Sequence, residues 1–300
     1  MLFWRLSRAE KGLQKQMQKI HRNGKTMDRK SFWQILRKNY GYISPDIRHF
    51  PAEKIPGCPT FLYYVRIMKI IFDHSRLAAG GGYTREIWAD GSHAMISAAE
   101  SVGGKVEISG MEGVVQHRGP LVFISNHMSM IETFFLPATV LAFRDVSFVV
   151  KTSLLEYPFF GNIMRAVEPV AVSRHNPRED LRTVLEKGSE ILTSGRSIIV
   201  FPQATRSLVF DPEHFNSLGI KLARKAGVPA VPVALKTDFQ GYSPLFKDLG
   251  RIDPGKTIHI CFGTPRTVEG KGQKTHEDIV RFIAANIIRW GGEVRNLPYE

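Results

Sequence analysis

Short β-branched runs alternate with helical patterns from about residue 105 to the end of this chain. Seven runs typical of buried strands occur at 105–109, 121–125, 146–150, 170–172, 197–201, 230–235 and 257–262. Helical periodicity intervenes, most clearly at 178–193 and 217–225, and a last helix is predicted at 277–290. We expect a capping pattern from Thr275 to Asp278 to begin that last helix. This alternation predicts an α/β fold in which helices flank a mostly parallel central sheet.

The predicted organisation has three parts. Residues 1–57 form a basic helical N-terminal region and linker, 58–104 a helical lead-in, and 105–300 the α/β domain. The proline-rich stretch 44–59 favours a linker, and the three glycines at 80–82 indicate a second break.

Positive charge is concentrated in the N-terminal region. Residues 1–50 contain twelve Lys and Arg against three Asp and Glu, so they carry nine of the thirteen net positive charges. Apolar residues recur there every three or four positions, at Phe3, Leu6, Ala9, Leu13, Met17 and Ile20. This spacing predicts an amphipathic basic helix suited to the interface of an anionic membrane. The alternatives are a helix packed on the domain and, least favoured, a nucleic-acid partner, which we do not expect.

The sequence predicts neither a transmembrane span nor a cleavable signal peptide. The apolar segment 61–72 has twelve residues and contains Arg66 and Lys69, whereas a span needs about 20 residues. It indicates a membrane-facing or core helix. Apolar runs near the start are short and broken by charge, unlike those of a signal peptide. We therefore expect a peripheral protein on the cytoplasmic face of a membrane.

The two cysteines are Cys58 and Cys261. They lack the spacing of metal ligands, and they are expected to be buried, reduced thiols. No metal site is predicted.

Residues suited to acid–base chemistry follow the strand predicted at 121–125. His127 and Glu132 stand five positions apart, which on a continuous helix would leave their side chains about 140° apart. They pair only if His127 lies in the strand-to-helix turn and Glu132 in the first helical turn. Ligands bind at this end of parallel strands. A carboxylate that holds one imidazole nitrogen leaves the other free to act as a base, although such a pair also fits a purely structural role.

Cationic residues follow two other predicted strands. Arg174 comes after 170–172, and Arg206 comes after 197–201. We expect these strand ends to be adjacent, so that the two planar guanidinium groups bind one phosphate. Lys151 and Arg165 would add positive charge to the same region.

Four blocks within about 105–265 together resemble the glycerolipid acyltransferase family, the 1-acylglycerol-3-phosphate acyltransferases and their relatives. NHMSMIE at 126–132 is similar to the family's NHxSxxD. PFFG at 158–161, followed by VSR at 172–174, is similar to its PFFG and IDR. FPQATRS at 201–207 and GVPAVPV at 227–233 are similar to its FPEGTRS and GVPIVPV.

The resemblance implies a glycerol-3-phosphate acyltransferase-like fold and a role for each matching residue. His127 would be the general base toward an acceptor hydroxyl, and Glu132 would orient it. The expected substrate-binding residues are Asn126, Ser129, Lys151, Arg174, Gln203, Thr205 and Arg206, the two arginines holding the acceptor's phosphate. The implied donor is acyl-CoA or acyl carrier protein, with no cofactor. The implied acceptor is a lysophospholipid, with lysophosphatidic acid, which would give phosphatidic acid, as the leading candidate.

Three departures from the family pattern bear on the acceptor. Glu132 replaces the more usual Asp and keeps its charge, whereas Gln203-Ala204 replace Glu-Gly and Ser173 replaces the Asp before Arg174. The last two changes lie beside the expected acceptor site. They leave open another lyso-lipid or an amino-lipid as acceptor, and a non-catalytic lipid-binding protein with the same fold is the alternative class.

Overall fold

The computed structural model describes residues 27–45, 57–203, 205–243 and 249–296. The amphipathic helix expected at the N-terminus, most of the expected linker and Ala204 lie outside these residues. The helices are α1 (Arg29–Asn39), α2 (Cys58–Ala79), α3 (Arg85–Glu100), α4 (Glu112–Gln116), α5 (Ile131–Val140), α6 (Phe160–Ala166), α7 (Pro177–Thr193), α8 (Leu218–Ala226) and α9 (Gln273–Arg289). The strands are β1 (Tyr42–Ile43), β2 (Val106–Ser109), β3 (Val122–Ser125), β4 (Val146–Lys151), β5 (Val170–Val172), β6 (Ser197–Val200), β7 (Val209–Phe210), β8 (Ala230–Lys236), β9 (Ile258–Phe262) and β10 (Glu293–Val294).

Eight strands form the main sheet, in the order β1-β2-β9-β8-β3-β6-β4-β5. Strands β8, β3, β6, β4 and β5 run parallel, whereas β9 is antiparallel to β8 and β1 is antiparallel to β2. All seven predicted strands are present in this sheet, each within one residue of its predicted bounds. The predicted α/β fold with a mostly parallel sheet is therefore confirmed.

The hydrophobic core occupies both faces of the sheet. Along β3, Phe123 packs into one core cluster, while Val122 and Ile124 pack into the other. The pleat of a strand sends successive side chains to opposite faces. Because helices cover both faces, β3 is buried along its whole length, which explains its continuous apolar run.

Residues 27–45 are part of this core. α1 buries Phe32 and Trp33, and the indole Nε1 of Trp33 donates a 2.9 Å hydrogen bond to the carbonyl of Ala138. β1 adds an edge strand to the sheet by pairing with β2. The boundary predicted near residue 57 therefore does not separate this segment from the α/β domain, because its apolar side chains lie in the same core cluster as residues of the sheet. The division into three parts otherwise remains a prediction.

Two local predictions are corrected. α9 begins at Gln273 after Gly272, whose φ is +80°, and Thr275 is buried inside the helix. Gly272 adopts the left-handed backbone that glycine tolerates, so the helix starts earlier and the predicted capping pattern is not used. Cys58 and Cys261 are free thiols, as expected, but both are only partly buried.

α2 exposes an apolar face. Phe61, Val65, Met68 and Phe72 are 67%, 50%, 49% and 44% exposed, while the opposite side of the helix is buried. We call these four residues the apolar face of α2. Within the described part of the chain, no helix has the length and apolarity needed to cross a membrane.

Glu100 is a buried carboxyl group that links α3 to the N-terminal segment. The hydroxyls of Tyr42 and Ser44 donate hydrogen bonds of 2.5 and 2.7 Å to its Oε1. Burial raises the pKa of Glu100, and the two hydroxyls oppose this rise in part. The folded protein therefore binds this proton more tightly than the unfolded chain does.

This difference predicts a pH-dependent contribution to stability. Below the ordinary pKa of 4.5 the contribution is fully present, and it is lost as pH rises through the raised pKa of the folded state. We expect the free energy of unfolding of the wild type to fall over that range relative to Glu100→Gln, which cannot ionise. Urea denaturation across the range measures the difference, with the exposed Glu86→Gln on the same helix as control. If the free energy of unfolding changed with pH in the same way for the wild type and Glu100→Gln, the contribution assigned to Glu100 would be contradicted.

Candidate active site

Four strand ends carry the predicted site. β3, β6, β4 and β5 are neighbours in that order and run parallel, so their carboxyl ends share one edge of the sheet. The prediction that the strand ends before Arg174 and Arg206 are adjacent is wrong, because β4 pairs with both β5 and β6 and lies between them. Lys151, the last residue of β4, is exposed at the same edge.

His127 and Glu132 meet at the end of β3. His127 lies in the turn that precedes α5, and Glu132 lies in the first turn of that helix. The imidazole Nδ1 is 2.7 Å from the Glu132 Oε2. The Glu132 side chain is completely buried, whereas that of His127 is 16% exposed. This is the arrangement that the five-residue spacing predicts.

The other oxygen of Glu132 is also held in place. Its Oε1 accepts hydrogen bonds from the backbone N–H of Met128 at 2.9 Å, the N–H of Ser129 at 2.8 Å and the hydroxyl of Thr237 at 2.5 Å. No group among the described residues hydrogen-bonds the Nε2 of His127. This arrangement leaves Nε2 available to accept a proton.

The turn after β6 is hydrogen-bonded to both the backbone N–H and the backbone carbonyl of His127. The Gln203 side-chain oxygen accepts from the His127 N–H at 2.7 Å, and the Ser207 N–H donates to the His127 carbonyl at 3.0 Å. The Phe201 ring stacks on the imidazole at a centroid distance of 4.3 Å. Gln203, expected to bind substrate, is 6% exposed and instead supports the backbone of His127.

Asn126 and Ser129 are also directed into the protein. Both amide atoms of Asn126 bond the backbone of Leu235, each at 2.8 Å. The Ser129 hydroxyl donates to the Thr237 hydroxyl at 2.9 Å. Because the two side chains are at most 2% exposed, they anchor the turn that carries His127 to β8 and the residue after it, and they are not accessible to a ligand.

Arg174 and Arg206 influence each other electrostatically. Partial burial lowers the pKa of Arg174, and the positive charge of Arg206 lowers it further, against the opposing effect of Asp180. Asp180 also accepts the Arg174 backbone N–H at 2.8 Å, where Arg174 has a φ of +63°. Two repelling cations near a strand edge favour an anion between them. Thr205 is exposed in the same turn as Arg206.

Arg165 is hydrogen-bonded within its own part of the chain. Its guanidinium donates to the carbonyl of Leu155 and to the side-chain oxygen of Asn162, within its own loop and helix. Neither acceptor carries a charge, so the contribution of Arg165 to the positive charge near the strand ends stays a prediction.

Sequence reasoning missed Thr237, Phe201 and Ser207. Thr237 directly follows β8, which neighbours β3, so the rule that functional groups follow parallel strands was a signal that could have found it. Phe201 and Ser207 stand in the block FPQATRS, but only the folded turn shows that they contact His127.

Known proteins are similar to this chain over the segment that carries the candidate site. Residues 105–236 match the family model described as Acyltransferase. The chain is 31% identical over 170 residues to a 1-acyl-sn-glycerol-3-phosphate acyltransferase of Pseudomonas aeruginosa, covering 57% of this chain and 62% of that protein. It is 30% identical over 131 residues to the chloroplastic 1-acyl-sn-glycerol-3-phosphate acyltransferase BAT2 of Brassica napus, covering 44% and 37%. The chain thus spans between about two fifths and three fifths of these relatives' lengths.

A solved structure shares the fold. The crystal structure of PlsC, the 1-acyl-sn-glycerophosphate acyltransferase from Thermotoga maritima, superposes with a TM-score of 0.58 at 18% identity. The match covers 80% of this chain and 98% of that one. Residues 105–236 therefore match the Acyltransferase family model, and the superposition shows that the chain shares the fold of the Thermotoga maritima protein.

Proposed function

We propose that this protein transfers a fatty acyl group from an acyl thioester to the hydroxyl of a lysophospholipid. The observation that carries the proposal is the His127–Glu132 pair, held at the strand ends with Nε2 available to a proton. Lysophosphatidic acid is the leading acceptor and phosphatidic acid the product, because the relatives above are named as 1-acyl-sn-glycerol-3-phosphate acyltransferases. Acyl-CoA or acyl carrier protein would be the donor.

The proposed reaction is a direct transfer. The oxygen of the acceptor hydroxyl attacks the thioester carbonyl carbon, and the Nε2 of His127 accepts the proton of that hydroxyl. The C–S bond then breaks, and the imidazolium returns the proton to the leaving thiolate. Glu132 orients the imidazole and stabilises its positive charge, with three further donors holding the carboxylate in place.

Arg174 and Arg206 would bind the acceptor's phosphate. Gln203 and Ser207 fasten the turn that carries Arg206 to His127. A phosphate held there keeps the acceptor hydroxyl close to Nε2, which lowers the entropic part of the barrier. Lys151 at the end of β4 and Thr205 in the turn add donors at the rim.

The apolar face of α2 would bind the surface of an anionic membrane at its cytoplasmic side. Phe159, which is 48% exposed, extends this face through an edge-to-face contact with Phe72. Arg66, Lys69 and Arg76 lie on the same helix. Exposed aromatic and aliphatic side chains next to lysine and arginine fit the interface of an anionic bilayer, where the lipid acceptor resides.

We expect Phe61→Ser combined with Val65→Ser to weaken binding to vesicles containing anionic lipid several-fold, because buried apolar area is lost. Vesicle flotation measures this, and Ile288→Ser, which removes a 49% exposed side chain from α9, is the control. Raising the salt concentration should weaken binding of every variant. Equal flotation of the double variant and the wild type would show that the apolar face of α2 does not contribute to membrane binding.

The activity is tested directly with the purified full chain. Two donors, acyl-CoA and acyl carrier protein loaded with a fatty acyl group, are each offered with lysophosphatidic acid and with other lyso-lipids and amino-lipids. The products are identified by mass. We expect phosphatidic acid from lysophosphatidic acid. Transfer only to another acceptor would keep the reaction and replace the substrate, whereas no transfer from either donor would contradict the proposal.

A further inference from the structure

We infer that Thr237 is a positioning residue that selects the tautomer of His127 by acting through Glu132. As far as turnover is concerned, this inference rests on the proposed function. Thr237 follows the last residue of β8, and it is completely buried. Its hydroxyl lies 2.5 Å from the Glu132 Oε1, on the carboxylate oxygen opposite the one that faces His127.

The hydroxyl of Thr237 belongs to a directed chain of hydrogen bonds. The backbone N–H of Ile131 donates to the Ser129 Oγ at 3.3 Å, and the Ser129 hydroxyl donates to the Thr237 Oγ1 at 2.9 Å. A hydroxyl has one proton to donate. Since Thr237 already receives the proton of Ser129, its own proton points to Glu132.

This direction determines what Glu132 can do for His127. Its Oε1 faces three donors, of which the backbone N–H groups of Met128 and Ser129 can never accept. With Oε1 occupied by donors, the Glu132 carboxylate accepts through Oε2, and the Nδ1 of His127 then carries the proton of the 2.7 Å bond. The lone pair is then on Nε2, where a general base needs it.

The sheet gives Thr237 a fixed position for this task. Two residues earlier, Leu235 exchanges hydrogen bonds with the side chain of Asn126, at the start of the catalytic turn. Ser125 in β3 pairs with Val233 in β8. The contacts between β3 and β8 therefore hold both Thr237 and Asn126, the residue before His127. They restrict the motion of Thr237 relative to Glu132.

Turnover of matched variants tests the inference. Thr237→Val keeps the shape and removes the hydroxyl, and we expect it to lower kcat by about 10-fold or more with KM values within about twofold. Thr237→Ser restores the hydroxyl and should recover most of kcat. Thr139→Val is the control, because Thr139 is a buried threonine of α5 whose hydroxyl donates within its own helix, to the Leu136 carbonyl at 2.8 Å.

Nitrogen-15 NMR of the imidazole gives a readout that does not depend on turnover. The signals of His127 are identified by their loss in His127→Gln. In the wild type with a neutral ring we expect the proton on Nδ1, and in Thr237→Val we expect the Nε2-protonated tautomer to become detectable. This shift in a protein that transfers no acyl group would leave the inference intact and reject the proposed function.

Unchanged kcat and unchanged tautomer in a folded Thr237→Val protein would overturn the inference. If that variant does not fold, Ser129→Ala tests the same chain, since it frees Thr237 to turn its proton away from Glu132. We then expect a smaller tautomer change in the same direction, and no change would overturn the inference.

Discussion

Replacing His127 with alanine is expected to lower kcat by at least about 100-fold, because the general base is lost. The protein should stay folded, since Glu132 keeps three of its four hydrogen-bond donors. The side chain of His127 is also partly exposed, so water can replace the imidazole at Oε2. Steady-state acyl transfer and the melting temperature of the same preparation measure the two effects separately.

Substitutions of Glu132 separate charge from geometry. Glu132→Gln places an amide NH₂ where both carboxylate oxygens face donors, so we expect a loss nearly as large as for His127→Ala. Glu132→Asp keeps the charge on a shorter side chain and should retain more activity.

Turnover by His127→Ala above about a tenth of the wild-type value would be incompatible with general-base catalysis by His127.

Replacing Arg206 with alanine is expected to raise the KM for lysophosphatidic acid by about 10- to 100-fold. A hydrogen bond to a charged group contributes about 1.5–3 kcal/mol, and each 1.4 kcal/mol corresponds to a factor of about ten. The effect should be specific for phosphate, so KM for an uncharged monoacylglycerol acceptor should change little. Arg174→Ala should act in the same direction, because the two arginines share one electrostatic field.

Arg182→Ala is the matched control for this experiment. Arg182 is an exposed arginine of α7 that pairs with Glu186 on the same helix, and its removal should leave KM for both acceptors unchanged. Equal increases in KM for the phosphate-bearing and the uncharged acceptor in Arg206→Ala would show that Arg206 supports the fold of the turn. It would then have no role as a phosphate ligand.

The contact between His127 and Glu132 is the part of the candidate site that the sequence predicts best. His127 and Glu132 are close in the chain, and their five-residue spacing allows contact only across a strand-to-helix turn. Local geometry therefore settles their meeting once β3 and α5 are placed. The cationic residues Arg174 and Arg206 were also placed at the correct edge, because each follows a parallel strand.

Residues taken as substrate ligands from the family pattern illustrate what the sequence does not determine. Asn126, Ser129 and Gln203 stand in the expected blocks, yet their side chains bond Leu235, Thr237 and the backbone of His127. A motif specifies which residue types occur near a site. Whether a polar side chain faces the ligand or the protein depends on partners from distant parts of the chain, and burial requires those partners to be found.

The sequence by itself determined the seven main strands and the mostly parallel character of the sheet, since branched apolar runs and helical periods are local consequences of burial on both faces of a sheet. Only the tertiary structure decided that β4 separates β5 from β6 and that β1 joins the edge. It also brought Thr237 to Glu132, across 105 residues of chain. Periodicity reports which face of an element is buried, whereas the choice of neighbour depends on how the whole set of elements packs. Those long-range contacts hold His127 and Glu132 in place.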